Sequence, residues 1–234
     1  MFYVRLSPVQ EDDFNRGSQD WHDEDEMLGS GDVKKLIEEG RFADWAAKVL
    51  APMVLMDAIG KNDLDTVNGL IGIGTDVTFE LGEESGIAHC NGPSPLMLAS
   101  QADMTPNGAI VQALLDAGAD KTIDFEDAWG ETALALAARH NMNPKIITLL
   151  ANAGATVNWQ DDEDCTPIMC AARYNTNPAV AETLLGHGAH LDGINRCSKE
   201  TIWDYAAQNP NSGAIMAVLN KHREANNKTK TLTV

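Results

Sequence analysis

Val111-Gln112-Ala113-Leu114-Leu115-Asp116-Ala117-Gly118 is one copy of an apolar phrase that returns along the 234-residue chain. A β-branched or small residue, two spacers, an aliphatic or small pair and a glycine recur as Val33…Leu36-Ile37…Gly40, Val67…Leu70-Ile71…Gly74 and Ile147…Leu150-Ala151…Gly154. Two further copies read Ala181…Leu184-Leu185…Gly188 and Ile215…Val218-Leu219, where His222 replaces the glycine. From the first residue of one pair to the next, the steps are 34, 44, 36, 34 and 34. A sustained period near 34 means one supersecondary unit stacked repeatedly, not a closed core around a cleft. Function is then to be sought on the surface of the stack.

A second phrase interleaves with the first. It reads Gly130-Glu131-Thr132-Ala133-Leu134-Ala135-Leu136-Ala137-Ala138, then Asp164-Cys165-Thr166-Pro167-Ile168-Met169-Cys170-Ala171-Ala172. Lys199-Glu200-Thr201 through Ala206-Ala207 and Gly92-Pro93-Ser94-Pro95 through Ala99-Ser100 repeat it. Thr132, Thr166 and Thr201 suit helix N-caps, Pro95 and Pro167 suit first helical turns, and Gly74, Gly118, Gly154 and Gly188 suit left-handed turns after the second helix. Alanine pairs let neighbouring helices approach closely. Together the phrases resemble the ankyrin repeat, whose Thr-Pro-Leu-His-x-Ala-Ala opens one helix and whose Leu-Leu-x-x-Gly-Ala closes the other. The resemblance covers 92–192 most fully, then 193–222, and 31–76 in part.

It implies an all-α repeat solenoid, a stack of helix-turn-helix units joined by β-hairpin fingers, with about five to six units over 31–222. Residues 1–30, with the acidic run Asp20 to Glu26, read as an arm or irregular cap. Asp32 reads as the cap of a helix over 33–39, followed by a second helix with Phe42, Trp45, Ala46, Val49 and Leu50 at helical spacing. The long step of 44 marks an insertion at 75–93, where Val77, Phe79 and Leu81 alternate as in a short strand. Residues 223–234 are expected to form a polar, frayed tail. The turn between the paired helices is longer than the family consensus, reading Asn141-Met142-Asn143-Pro144 and Asn175-Thr176-Asn177-Pro178. That form looks like many bacterial ankyrin proteins.

Charge narrows the partner. Seventeen basic residues against thirty-five acidic ones leave −18. Such a surface disfavours nucleic acid and anionic membrane, which need clustered Lys and Arg, and favours a basic protein. No apolar run approaches the roughly 20 residues of a membrane helix. Met1 to Gln10 lacks the pattern of a secretion signal, so a cytoplasmic site and reduced cysteines are expected. Catalytic, cofactor and metal sites are not expected. Cys165, Cys170, Cys197, His187 and His190 lack the close paired spacing of a zinc site. His89-Cys90 lacks an orienting third group for a nucleophile. The run Asp161-Asp162-Glu163-Asp164 lacks the alternation and closing Glu of a calcium loop.

The resemblance implies partner binding through finger tips and the inner face of each first helix. Carried onto this chain, the finger positions are Phe125, Glu126, Asp127, Ala128, Trp129 and Glu131, then Trp159, Asp161, Asp162, Glu163 and Cys165. The inner-helix positions are Arg139 and His140, Arg173 and Tyr174, and Gln208 and Asn209, and Phe79 stands on the insertion. Other roles compete for some of these. Phe125 and Trp159 could stack along the fingers and cover the core, and Arg139 and Arg173 could bond carbonyls of their own long turns. The composite is a monomeric, non-catalytic interaction module for a basic protein, with an immunity protein that blocks a toxin or nuclease as its sharpest form. An adaptor or secreted effector engaging a host or regulatory protein is the alternative.

Overall fold

The structure is a computed structural model that describes residues 42–79 and 93–232. The arm at 1–30, the helix expected over 33–39 and the insertion beyond Phe79, with its His89-Cys90 pair, lie outside the described residues. Ten α-helices follow in pairs: α1 Phe42–Gly60 and α2 Leu64–Gly72, α3 Pro95–Ala102 and α4 Ala109–Asp116, α5 Ala133–His140 and α6 Pro144–Asn152, α7 Pro167–Tyr174 and α8 Pro178–Gly186, α9 Ile202–Gln208 and α10 Ser212–Leu232. The first helices form one row and the second helices another, each packing on its partner and on its counterparts in neighbouring units. This is an all-α repeat solenoid of five described units.

Its core is one continuous ladder of fully buried aliphatic and small side chains. Ala99, Ala137, Ala171 and Ala206 come from the first row, and Val67, Val111, Ile147, Ala181 and Ile215 from the second. Position for position, these are the repeating apolar residues, since the periodic side of each helix is the side that leaves water. Gly74, Gly118, Gly154 and Gly188 have φ of 84°, 98°, 103° and 90°, the left-handed conformation that lets the chain leave a helix sharply.

Capping follows the sequence with one exception. Ser94, Thr132 and Thr201 accept from Met97 N, Ala135 N and Asp204 N, whereas Thr166 makes no such bond and its hydroxyl is buried without a partner. Two other expectations change. The fingers contain no strand among the described residues, only an isolated antiparallel bridge between Ile194 and Thr201. Their two arms meet through single bonds, Asp127 N to Glu131 O and Asp161 N to Cys165 O, each 3.0 Å, too few to propagate a ladder. The tail does not fray where expected, because α10 runs on to Leu232.

The long inter-helix turns hold the units together. Asn175 Nδ2 donates to Ala138 O (3.0 Å) and Asn141 O (2.8 Å), both in the preceding unit, and its Oδ1 accepts from Asn177 N (2.9 Å). Asn209 repeats this onto Ala172 O and Asn175 O, and Asn141 does so onto Ser100 O and Asp103 O. All three asparagines are buried, so every rung is a fully used amide. Asn143 and Asn177 cap the second helices, accepting from Lys145 N and Ala179 N, while the following proline needs no donor.

Candidate functional site

Three fingers are built on related turns, the third one residue longer than the first two. At steps of 34 residues, Asp127, Asp161 and Asn195 each place one side-chain oxygen under two amides of their own turn. Asp127 Oδ1 accepts from Trp129 N (3.0 Å) and Glu131 N (2.9 Å), and Asp161 Oδ1 from Glu163 N (2.8 Å) and Cys165 N (2.9 Å). Asn195 Oδ1 accepts from Cys197 N (2.8 Å) and Ser198 N (2.7 Å). Adjacent fingers are tied by Asp162 N to Trp129 O (3.4 Å) and by Arg196 N to Glu163 O (2.7 Å). Their backbones therefore hold side chains in fixed places.

Between these fingers and the first-row helices lies a groove of about 670 Å³. Twelve of the positions expected to bind a partner line it: Asp127, Ala128, Trp129, Glu131, Arg139, His140, Asp161, Asp162, Glu163, Cys165, Arg173 and Tyr174. Six do not. Phe79 packs against the core, and Trp159 is partly buried with its indole N–H donated to Gly130 O (3.2 Å), so both serve the stack. Phe125, 37% exposed, and the exposed Glu126 lie outside the lining, as do Gln208 and Asn209.

The floor of the groove is a ladder of stacked cations and rings. The Arg139 guanidinium lies 4.8 Å from the Tyr174 ring centre, and Arg173 lies 5.4 Å from Tyr174 and 4.7 Å from Tyr205. Each arginine also faces a carboxylate, Arg139 Nη2 at 2.5 Å from Glu131 and Arg173 Nη1 at 3.6 Å from Glu200. Neither bonds the carbonyls of its own turn, the role the sequence left open for it, because the asparagine amides already hold those acceptors. This stacking is invisible to periodicity, since Tyr174 and Tyr205 occupy different positions of their units. Sequence reading also missed Tyr205 and Cys170 as lining residues, and spacing alone gave no signal for either.

The electrostatics are lopsided. Burial is the main reason the Glu131 carboxyl sits above its usual range, opposed by Arg139 and reinforced by Asp127 and Asp161. Asp161 is also raised, first by burial and then by Glu163, against the bonds it accepts from Cys165 and Glu163 and the pull of Arg139. Burial and Arg139 hold His140 below its ordinary value, so it is neutral at pH 7. Five carboxylates thus face two guanidinium groups across the lining. Glu131 is ion-paired; Asp127, Asp161, Asp162 and Glu163 have no ion pair among the described residues.

Glu131, Asp161 and Cys170 bring ligand atoms within 4.8 Å of one another. The set does not suit a metal ion. The Arg139 guanidinium already supplies the cation, and burial pushes the Cys170 thiol up to about 12, so it keeps its proton.

A family model described as ankyrin repeats (three copies) matches residues 55–161 and 136–231. The chain belongs to the ankyrin repeat family, and its fold is that of a protein–protein interaction module. No curated protein matches it. No helix among the described residues is long and apolar enough to cross a membrane.

Proposed function

We propose that this chain is a non-catalytic, cytoplasmic bacterial binding protein that seats a basic protein partner in the finger–helix groove, and that it acts as an immunity protein. In this reading the partner is a toxin, such as a nuclease, whose cationic active surface is covered on binding. The observation that carries it is the groove's charge: five carboxylates against two guanidinium groups, in a chain of net charge −18. A field of that sign speeds encounter with a cationic surface and repels acidic competitors. The exposed Trp129 and Tyr174 add the aromatic area that anchors interfaces. The free chain is a monomer in this proposal.

Co-expression with the product of the adjacent gene tests it. Protection from that product's toxicity and a stable 1:1 complex are expected. Asp162→Lys, at an exposed side chain with no hydrogen bond of its own among the described residues, should weaken the complex about tenfold, chiefly through slower association. Full toxicity and separate elution of the two proteins would overturn the immunity reading.

A further inference from the structure

The groove contains three aromatic side chains, and two of them are taken. Tyr174 and Tyr205 already carry the Arg139 and Arg173 guanidinium groups at 4.7 to 5.4 Å. Trp129 carries no cation among the described residues and is 71% exposed. Its backbone is nevertheless pinned on both sides, its amide to Asp127 Oδ1 and its carbonyl to Asp162 N. An exposed indole on a fixed backbone is an open stacking face, with only its two side-chain torsions left to order on binding.

The Asp161 carboxylate in the same groove carries charge that the finger turn does not require. Asn195 holds the next finger with a neutral amide, its oxygen accepting from the N–H groups two and three residues on where Asp161 accepts from those two and four residues on. Its Nδ2 then donates inward to Cys165 Sγ and the Tyr205 hydroxyl, both 3.0–3.1 Å away. At Asp161 the corresponding atom is a second carboxylate oxygen with no hydrogen bond among the described residues. That carboxyl is half-buried and shares its surroundings with Glu131, whose own charge is answered by Arg139. The folded protein thus holds an unpaired, partly desolvated anion in the same groove as an unoccupied indole.

Resting on the groove as the partner's seat, the geometry points to one anchor: an arginine side chain of the partner, stacked on Trp129 and paired with Asp161. Arginine fits where lysine does not. A guanidinium is planar, weakly hydrated and able to stack on a ring while donating to a carboxylate, whereas an ammonium is a strongly hydrated point charge. The groove already uses this combination twice within its own floor, with Arg139 and Arg173 each between a tyrosine face and a glutamate.

The test uses three short peptides, Gly-Gly-Xaa-Gly-Gly with Xaa arginine, lysine or citrulline, the last being the neutral isostere of arginine. Each is titrated into the full chain while the Trp129 indole N–H signal is followed by NMR. Saturable shifts are expected with the arginine peptide, binding about threefold or more weaker with lysine, and no saturable shift with citrulline. Asp161→Asn, which keeps the turn oxygen as Asn195 does, should weaken arginine binding roughly fivefold, and Trp129→Leu, followed on neighbouring backbone amides, by a similar factor. Glu126→Gln, at a finger carboxylate outside the groove, should change it less than about twofold.

Equal binding of arginine and lysine with the Asp161 dependence retained would overturn the arginine anchor and leave the basic-partner reading standing. Equal losses in Asp161→Asn and Glu126→Gln would reduce the effect to diffuse attraction by a negative surface and overturn the anchor. Absence of any shift with both cations would overturn the anchor, and a toxin complex that still formed would keep the groove reading separate from it.

Discussion

Asn175 shows what a single buried amide does in this molecule. Its three hydrogen bonds join two units and one turn, with no water to replace a lost partner. Asn175→Ala leaves two buried carbonyls and one amide unsatisfied and should cost roughly 3 kcal/mol, read as a lowered urea midpoint. At the same scale the thiols divide by burial. Cys197 is exposed, while Cys165 and Cys170 are buried with their thiols pushed up, Cys170 to about 12. In the native protein an alkylating reagent should therefore modify Cys197 promptly, and Cys165 and Cys170 only after denaturation, as peptide mapping would show. The asparagine–proline turns were legible in sequence as turns. That their amides reach back 34 to 41 residues was not, because a side chain that bonds its own backbone and one that bonds its neighbour's leave the same letters.

Among the elements, the fingers depend most on backbone conformation. Gly130 has φ of 75°, and a Cβ there would lie 3.0 Å from the Asp162 amide nitrogen of the next finger. Gly130→Ala should lower stability by roughly 2 kcal/mol and disturb the groove wall with it, measurable as a fall in melting temperature and a shifted Trp129 signal. Lys199 adopts φ of 62° without the freedom of glycine. Lys199→Gly should raise the melting temperature by removing roughly 1 kcal/mol of strain, less the entropy glycine adds to the unfolded chain. Helices, their proline starts and their glycine ends could be read from the repeating phrases, since each signal is local. That the fingers of the described residues lack paired strands could not, because whether two arms pair depends on spacing set by the stack. The run of α10 to Leu232 was likewise hidden, as Asn226 to Lys230 carry no apolar stripe to announce a helix.

For the whole molecule the decisive quantity is the field over the groove, and pH gives it a sign. Burial raises the carboxyls of Glu131 and Asp161, so both protonate at a pH above the ordinary carboxylate range. A cationic partner needs the anion, so its affinity is full above that raised value and is lost as pH falls through it. Folding runs the other way for these two groups: protonation relieves their desolvation, and the stability they contribute is present at low pH and lost as pH rises through the raised values. Mild acidification should therefore release the partner before the solenoid unfolds, a separation that calorimetric titration and far-UV circular dichroism over one pH series would reveal. Overlapping traces would contradict the assignment. The net charge was plain in the composition; which five of the thirty-five acidic residues gather in the groove follows from which letters the period of 34 stacks beside one another.

The asparagine rungs also give the stack a direction. Each of the three buried rung amides, Asn141, Asn175 and Asn209, donates backwards, from a later unit to carbonyls of the one before it. Shortening the chain from its C-terminal end removes donors and bares carbonyls that water can reach. Shortening it from the N-terminal end strands an amide inside the protein with nothing to receive it. Each later unit thus carries the donors that lock its predecessor, like a ratchet whose teeth lean one way.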